Sequence, residues 1–180
     1  AGFPGFAGPD FGNGAAAAAI CADHNQDAPS HGTPRLRNAI AATWDAAYGR
    51  EIDPDSEVTV TTGATEGMHA ALLALVDPGD EVILFEPFYD AYVGDIVYAG
   101  GVPRYVTLQP PDWSFDPDAL AAAFTDKTKV IIVNTPHNPT GKVFTRDDLA
   151  QIAALCQQHD VIAITDEVYD RIIFDDAVHL

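Results

Sequence analysis

From residue 58 onward, short runs of β-branched and apolar residues alternate with longer stretches of helical periodicity, and Gly, Pro or Asp marks each switch. The pattern predicts strands over residues 58–62, 81–85, 103–108, 129–134 and 161–165. It predicts helices over residues 65–76, 88–99, 117–124 and 145–159, with turns at Asp77-Pro78-Gly79-Asp80 and Gly100-Gly101. The runs 82–85, 130–133 and 161–164 are apolar at every position, as strands covered by helices on both faces must be. Such alternation predicts an α/β fold whose sheet is mostly parallel. Residues 1–57 are different in kind: they are rich in Gly, Pro and Ala, with helical pattern only at 15–23 and 34–48. They read as an amino-terminal arm and helical entry segment leading into a domain at 58–180.

Composition narrows the function classes. The chain has 180 residues, 47% of them apolar, enough for one ordinary domain or part of a larger one. Acidic residues outnumber basic ones 27 to 9, and a net charge of −18 argues against binding nucleic acid phosphates or an anionic membrane surface. The longest apolar stretches, at 15–22 and 68–76, are too short to span a bilayer, and no signal pattern opens the chain, so a cytoplasmic protein is expected. Cys21 and Cys156 stand far apart without metal-type spacing; both are expected to be reduced core residues, and no metal site is expected. The chain opens at Ala1 and stops at Leu180 just past a strongly patterned region, which suggests a piece of a longer protein.

In an open parallel sheet, ligands sit beyond the carboxyl ends of the strands. Gly63-Ala64-Thr65-Glu66-Gly67 follows the first predicted strand; its small residues and the N–H groups opening the next helix suit a phosphate, although simple packing uses such turns too. The spacing matches neither GxGxxG nor the Walker pattern, which speaks against a nicotinamide-dependent Rossmann enzyme. Glu86-Pro87-Phe88-Tyr89-Asp90-Ala91-Tyr92 follows the second: its aromatics either fill the core or, for Tyr89, lie flat on a planar ring. After the fourth come Asn134 and Thr135-Pro136-His137-Asn138-Pro139-Thr140-Gly141, an elaborate proline turn that does not by itself account for two Asn side chains; His137 is expected to be an exposed turn residue. The fifth ends at Asp166, a carboxylate that needs a cation, a proton donor or a helix to cap. Paired with Tyr169 three residues on, it could hold a protonated ring nitrogen and the neighbouring phenolic oxygen.

Taken together, AGFPGF at 1–6, HNQDAPSHGTPRLRNAI at 24–40, TTGATEGMHAALLALVDPGDEVI at 61–83, EPFYDAY at 86–92, NTPHNPTGKVF at 134–144 and ITDEVYD at 164–170 resemble the class I/II, fold-type I aminotransferases that depend on pyridoxal 5'-phosphate. The branch it is most similar to contains kynurenine and methionine aminotransferases, cysteine-conjugate β-lyases and succinyldiaminopimelate aminotransferase-like proteins. The resemblance implies that Gly63, Ala64 and Thr65 take the cofactor phosphate and that Tyr89 stacks on its ring. It implies that Asn138 contacts the phenolic oxygen and the substrate carboxylate, that Asp166 keeps the ring nitrogen protonated, and that Tyr169 bonds the phenolic oxygen. Gly2 matches a backbone position near the substrate carboxylate. The implied activity is transfer of an amino group from an L-amino acid, aromatic or sulfur-containing, to a 2-oxo acid by a homodimer. Carbon–sulfur β-elimination on the same cofactor, or a non-catalytic cofactor-binding or dimer-partner fragment, are its rivals. Two departures stand out. The Schiff-base lysine that the family carries after one further strand has no match in Lys127, Lys129 or Lys142, and Asp27 stands where relatives have a tyrosine that reaches the partner's phosphate.

Overall fold

A computed structural model describes Gly5 and residues 7–180. The described chain divides into two compact units, Ala1–Val60 and Thr61–Leu180.

The first unit carries α1 (Asp10–Cys21) and α2 (Pro34–Tyr48). Pro34 at the first turn of α2 and Gly49 just past it, at φ 61°, are the start and stop signals that its sequence supplies. The alanine-rich α1 buries no residue, and Cys21 is exposed rather than in a core; only Cys156 is buried. Arg37 is the buried charge of this unit. Its Nε donates to Gly32 O at 3.1 Å, and its Nη1 to Pro54 O and, at 2.7 Å, to Asp55 Oδ1, so the guanidinium ties α2 to the loop that follows it. Residues 58–62, expected as a strand, form none: the segment pairs with no described strand, and the Val60 N–H is taken by His31 O at 3.1 Å. A β-favouring run becomes a strand only where a neighbour offers a free edge.

The second unit runs α3 (Gly63–Leu75), β1 (Glu81–Glu86), α4 (Ala91–Tyr98), β2 (Val102–Thr107), α5 (Pro117–Ala123), β3 (Thr128–Asn134), α6 (Arg146–His159) and β4 (Ile162–Asp166). The strands form one all-parallel sheet in the order β2-β1-β3-β4. Successive strand residues face opposite sides, and the core divides accordingly. Val82, Leu84, Val130 and Ile132 pack with Met68 and Leu72 of α3 and Tyr92 and Ile96 of α4. Ile83, Phe85, Ile131 and Val133 pack on the other side with Leu120 of α5, Phe144, and Ile152 and Cys156 of α6.

Local chemistry explains where these elements begin. Thr145 and Asp148 form a reciprocal capping box that starts α6, and the Asp116 carboxylate caps α5. Between α4 and β2 the chain reverses at Gly100, φ 90°, and at Gly101, where a Cβ would lie 2.8 Å from Val76 Cγ1. Two expectations shift. The helix expected from residue 88 begins at Ala91, because Phe88 is drawn into a stack on Tyr105 and Tyr89 packs against the core. The run 161–164 is not covered on both faces: Ile162 and Ala163 are exposed, and among the described residues β4 lies at the sheet edge, paired with β3.

Leu72 is wholly buried, and its neighbour Leu73 is 49% exposed. Leu72→Ala is therefore expected to lower the unfolding free energy by about 3 kcal/mol, and Leu73→Ala by less than about 0.5 kcal/mol, as measured by urea denaturation of the full chain.

Candidate active site

The connection β1–α4–β2 leaves β1 in one direction, and the chain then returns past β1 to lay β3 on its other side. The strand order thus reverses between β1 and β3, and a crevice opens at their carboxyl ends. There lies a cleft of about 190 Å3, lined by Ala64, Thr65, Met68, Tyr89, Ala91, Tyr92, Asp95, Asn134, Asn138, Asp166, Val168 and Tyr169.

Five parts of the fold contribute: α3, the loop after β1, α4 with Ala91, Tyr92 and Asp95, the end of β3 with its turn, and the end of β4 with its turn. The first turn of α3 brings Ala64 and Thr65. Gly63, at φ 78°, sits one residue earlier and donates to Thr61 O at 2.9 Å; it shapes the turn without lining the cleft. The Thr62 N–H is engaged by the Glu66 carboxylate, a bond that holds this acid below its ordinary pKa. The N–H groups opening a helix lack intrahelical partners and attract an anion. The loop after β1 brings Tyr89, whose ring meets Tyr92 edge-on at 5.6 Å.

Asn134, at the end of β3, is a tie. Its Nδ2 donates to Asp166 O at 3.0 Å, and its Oδ1 accepts the Asn138 N–H at 2.7 Å. One side chain thereby fixes the end of β4 and the proline turn together, which explains the first of the two Asn residues; Asn138 itself lines the cleft. His137 is buried, not exposed. Its ring N–H donates to the Phe85 carbonyl, its Nδ1 accepts from Thr140 Oγ1 at 2.8 Å, and Phe144 packs edge-on against it. These contacts close the turn around the imidazole. Burial, reinforced by the nearby Lys142 charge, pushes its pKa down to about 4.

Asp166 ends β4. No helix follows among the described residues, so it caps a turn instead: Oδ1 accepts the Val168 N–H at 3.2 Å. Oδ2 accepts from Tyr92 Oη at 2.6 Å. Tyr169 lines the cleft beside it. From sequence Tyr92 reads as packing alone; its spacing of three from Tyr89, on one face of the helix expected over 88–99, is the signal that could have placed both at one site. Gly2 lies outside the described residues. None of Lys127, Lys129 and Lys142 lines the cleft; Lys142 pairs with Asp148 at 3.3 Å.

A family model for aminotransferase class I and II matches residues 10–180. The chain belongs to this family. It is 43% identical to human kynurenine–oxoglutarate transaminase 1 over 99% of its own length and 46% of that protein's. Among solved structures, the methionine aminotransferase of Escherichia coli superposes with a TM-score of 0.96 at 41% identity, covering 100% of this chain and 48% of that one. N-succinyldiaminopimelate aminotransferase from Mycobacterium tuberculosis gives 0.95 at 46% identity, covering 100% and 47%. The chain thus spans about half the length of the curated relatives it matches, and its α/β sheet is part of the fold-type I architecture. Aminotransferases of this class depend on pyridoxal phosphate. Among the described residues, no helix is long and apolar enough to cross a membrane.

Because His137 is held neutral in the fold, the unfolded chain binds its proton more readily between about pH 6.5 and 4. Its contribution to stability is full above that window and is lost as the pH falls through it. NMR titration is expected to place the His137 imidazole near pH 4, against about 6.5 for an unperturbed histidine.

Proposed function

We propose that this cleft is the pyridoxal-phosphate site of an enzyme that moves an amino group from an aromatic or sulfur-containing L-amino acid to a 2-oxo acid. The observation that carries the reading is convergence: a carboxylate held by two donors, an aromatic ring, an Asn, a Tyr hydroxyl and a helix amino terminus share one cleft at the strand-order reversal. The kinship with kynurenine and methionine aminotransferases supports the substrate class.

When bound, the cofactor supplies a protonated ring that takes up the electron pair left as the substrate loses a proton. Each residue answers one part of that group. Asp166 holds the proton on the ring nitrogen, because an ionised carboxylate beside a pyridinium favours the charged pair. Tyr89 lies against the ring face. Ala64 and Thr65 present backbone donors to the phosphate on the turn shaped by Gly63, and in a chain of net charge −18 such local dipoles are what can offset a dianion. Asn138 and Tyr169 donate to the phenolic oxygen, and Asn138 also receives the substrate carboxylate. Residues 58–180 form part of the large cofactor domain in this reading, and the assembled enzyme is a homodimer.

The test is titration of the full chain with pyridoxamine 5'-phosphate, followed by tyrosine fluorescence, with whole-enzyme assays of L-kynurenine and L-methionine against 2-oxoglutarate. The unmodified chain is expected to bind, and Asp166→Asn to weaken binding roughly tenfold or more through loss of a charge-assisted hydrogen bond. Equal affinity in D166N would remove Asp166 from the site. Absence of binding by the unmodified chain would sink the reading.

A further inference from the structure

We infer that Tyr92 is a positioning residue: its hydroxyl orients the Asp166 carboxylate at the cleft. The geometry rests on three observations. The Tyr92 ring is buried among Met68, Leu72 and Ile96, and meets Tyr89 edge-on, so its hydroxyl has a set position. That hydroxyl donates to Asp166 Oδ2 at 2.6 Å, within the span of O–H bonds to an ionised carboxylate. The other oxygen has a weaker anchor, the Val168 N–H at 3.2 Å, so the Tyr92 bond is what fixes the plane of the group. A phenylalanine would fill the same core volume; the oxygen serves Asp166 and not the packing.

Burial and the neighbouring carboxylate both push the Tyr92 pKa upward, so it remains a donor at every working pH. The other titratable groups around Asp166 are Tyr89 on the loop after β1, Asp95 on α4 and Tyr169 beyond β4, with His69 of α3 bonded to Asp95 at 2.9 Å. Among the described residues, Tyr92 is the side chain that hydrogen-bonds the Asp166 carboxylate. The value of an ionised Asp166 to a cationic ring nitrogen rests on the cofactor reading above; the coupling of Tyr92 to Asp166 does not.

The deciding experiment is 13C NMR titration of the Asp166 carboxyl in the full chain, without cofactor, for the unmodified protein, Tyr92→Phe and Tyr89→Phe. Y92F is expected to raise the midpoint by about one pH unit, a tenfold change in proton affinity, with the melting temperature little changed; Y89F leaves the midpoint in place. An unmoved midpoint in Y92F, or an equal shift in Y89F, overturns the inference. Titration with pyridoxamine 5'-phosphate across pH then tests the cofactor reading separately. An acid limb that moves up in Y92F supports both, while failure of the unmodified chain to bind retires the cofactor reading and leaves Tyr92 to be judged by the carboxyl titration alone.

Discussion

Parallel pairing is the constraint on which the rest of the second unit depends. Four strands running the same way end on one edge of the sheet, so whatever follows each strand is delivered to the same side of the molecule. Because the order reverses between β1 and β3, the loops beyond those strands diverge and leave a crevice instead of packing it shut. Tyr89, Asn138 and Asp166 are 28 to 77 residues apart in sequence. The sheet brings them together.

The two-sided burial of β1 and β3 makes this edge rigid. Alternate residues of each strand are committed to opposite cores, so a slip of one residue would exchange Leu84 and Ile132 with Phe85 and Val133 and ruin both. Register is thereby set, and with it the height at which Asn134 and Asp166 emerge. Asn134 exploits that fixed height by bonding Asp166 O and the Asn138 N–H at once. The carboxylate itself is costly to hold at the end of an apolar strand. It is met by a backbone N–H on one oxygen and a tyrosine hydroxyl on the other, from elements on either side of the cleft.

Buried polar groups elsewhere follow the same rule. Arg37 satisfies its guanidinium with two carbonyls and a carboxylate, and His137 is closed in by Thr140, Phe85 and Phe144. Each serves a loop that has no ladder of its own. The side chain replaces the missing backbone pairing.

Much of this was legible in the sequence. The run Val82-Ile83-Leu84-Phe85 reads as a doubly covered strand, and the Thr145/Asp148 box and the Gly100-Gly101 reversal announce their elements, because these signals are local. The candidate residues Ala64, Thr65, Tyr89, Asn138, Asp166 and Tyr169 were readable as residues at or just beyond the ends of expected strands, and they do line one cleft. What the sequence could not decide were matters of partnership. Residues 58–62 have strand composition but no strand neighbour, residues 161–164 look central yet form an edge, and His137 looks like a turn residue yet is buried. Tyr92 reads as core, and only the fold, by carrying Asp166 to it across 74 residues, gives its hydroxyl an acceptor. Local pattern determines what each segment can become; long-range contact alone determines which groups meet.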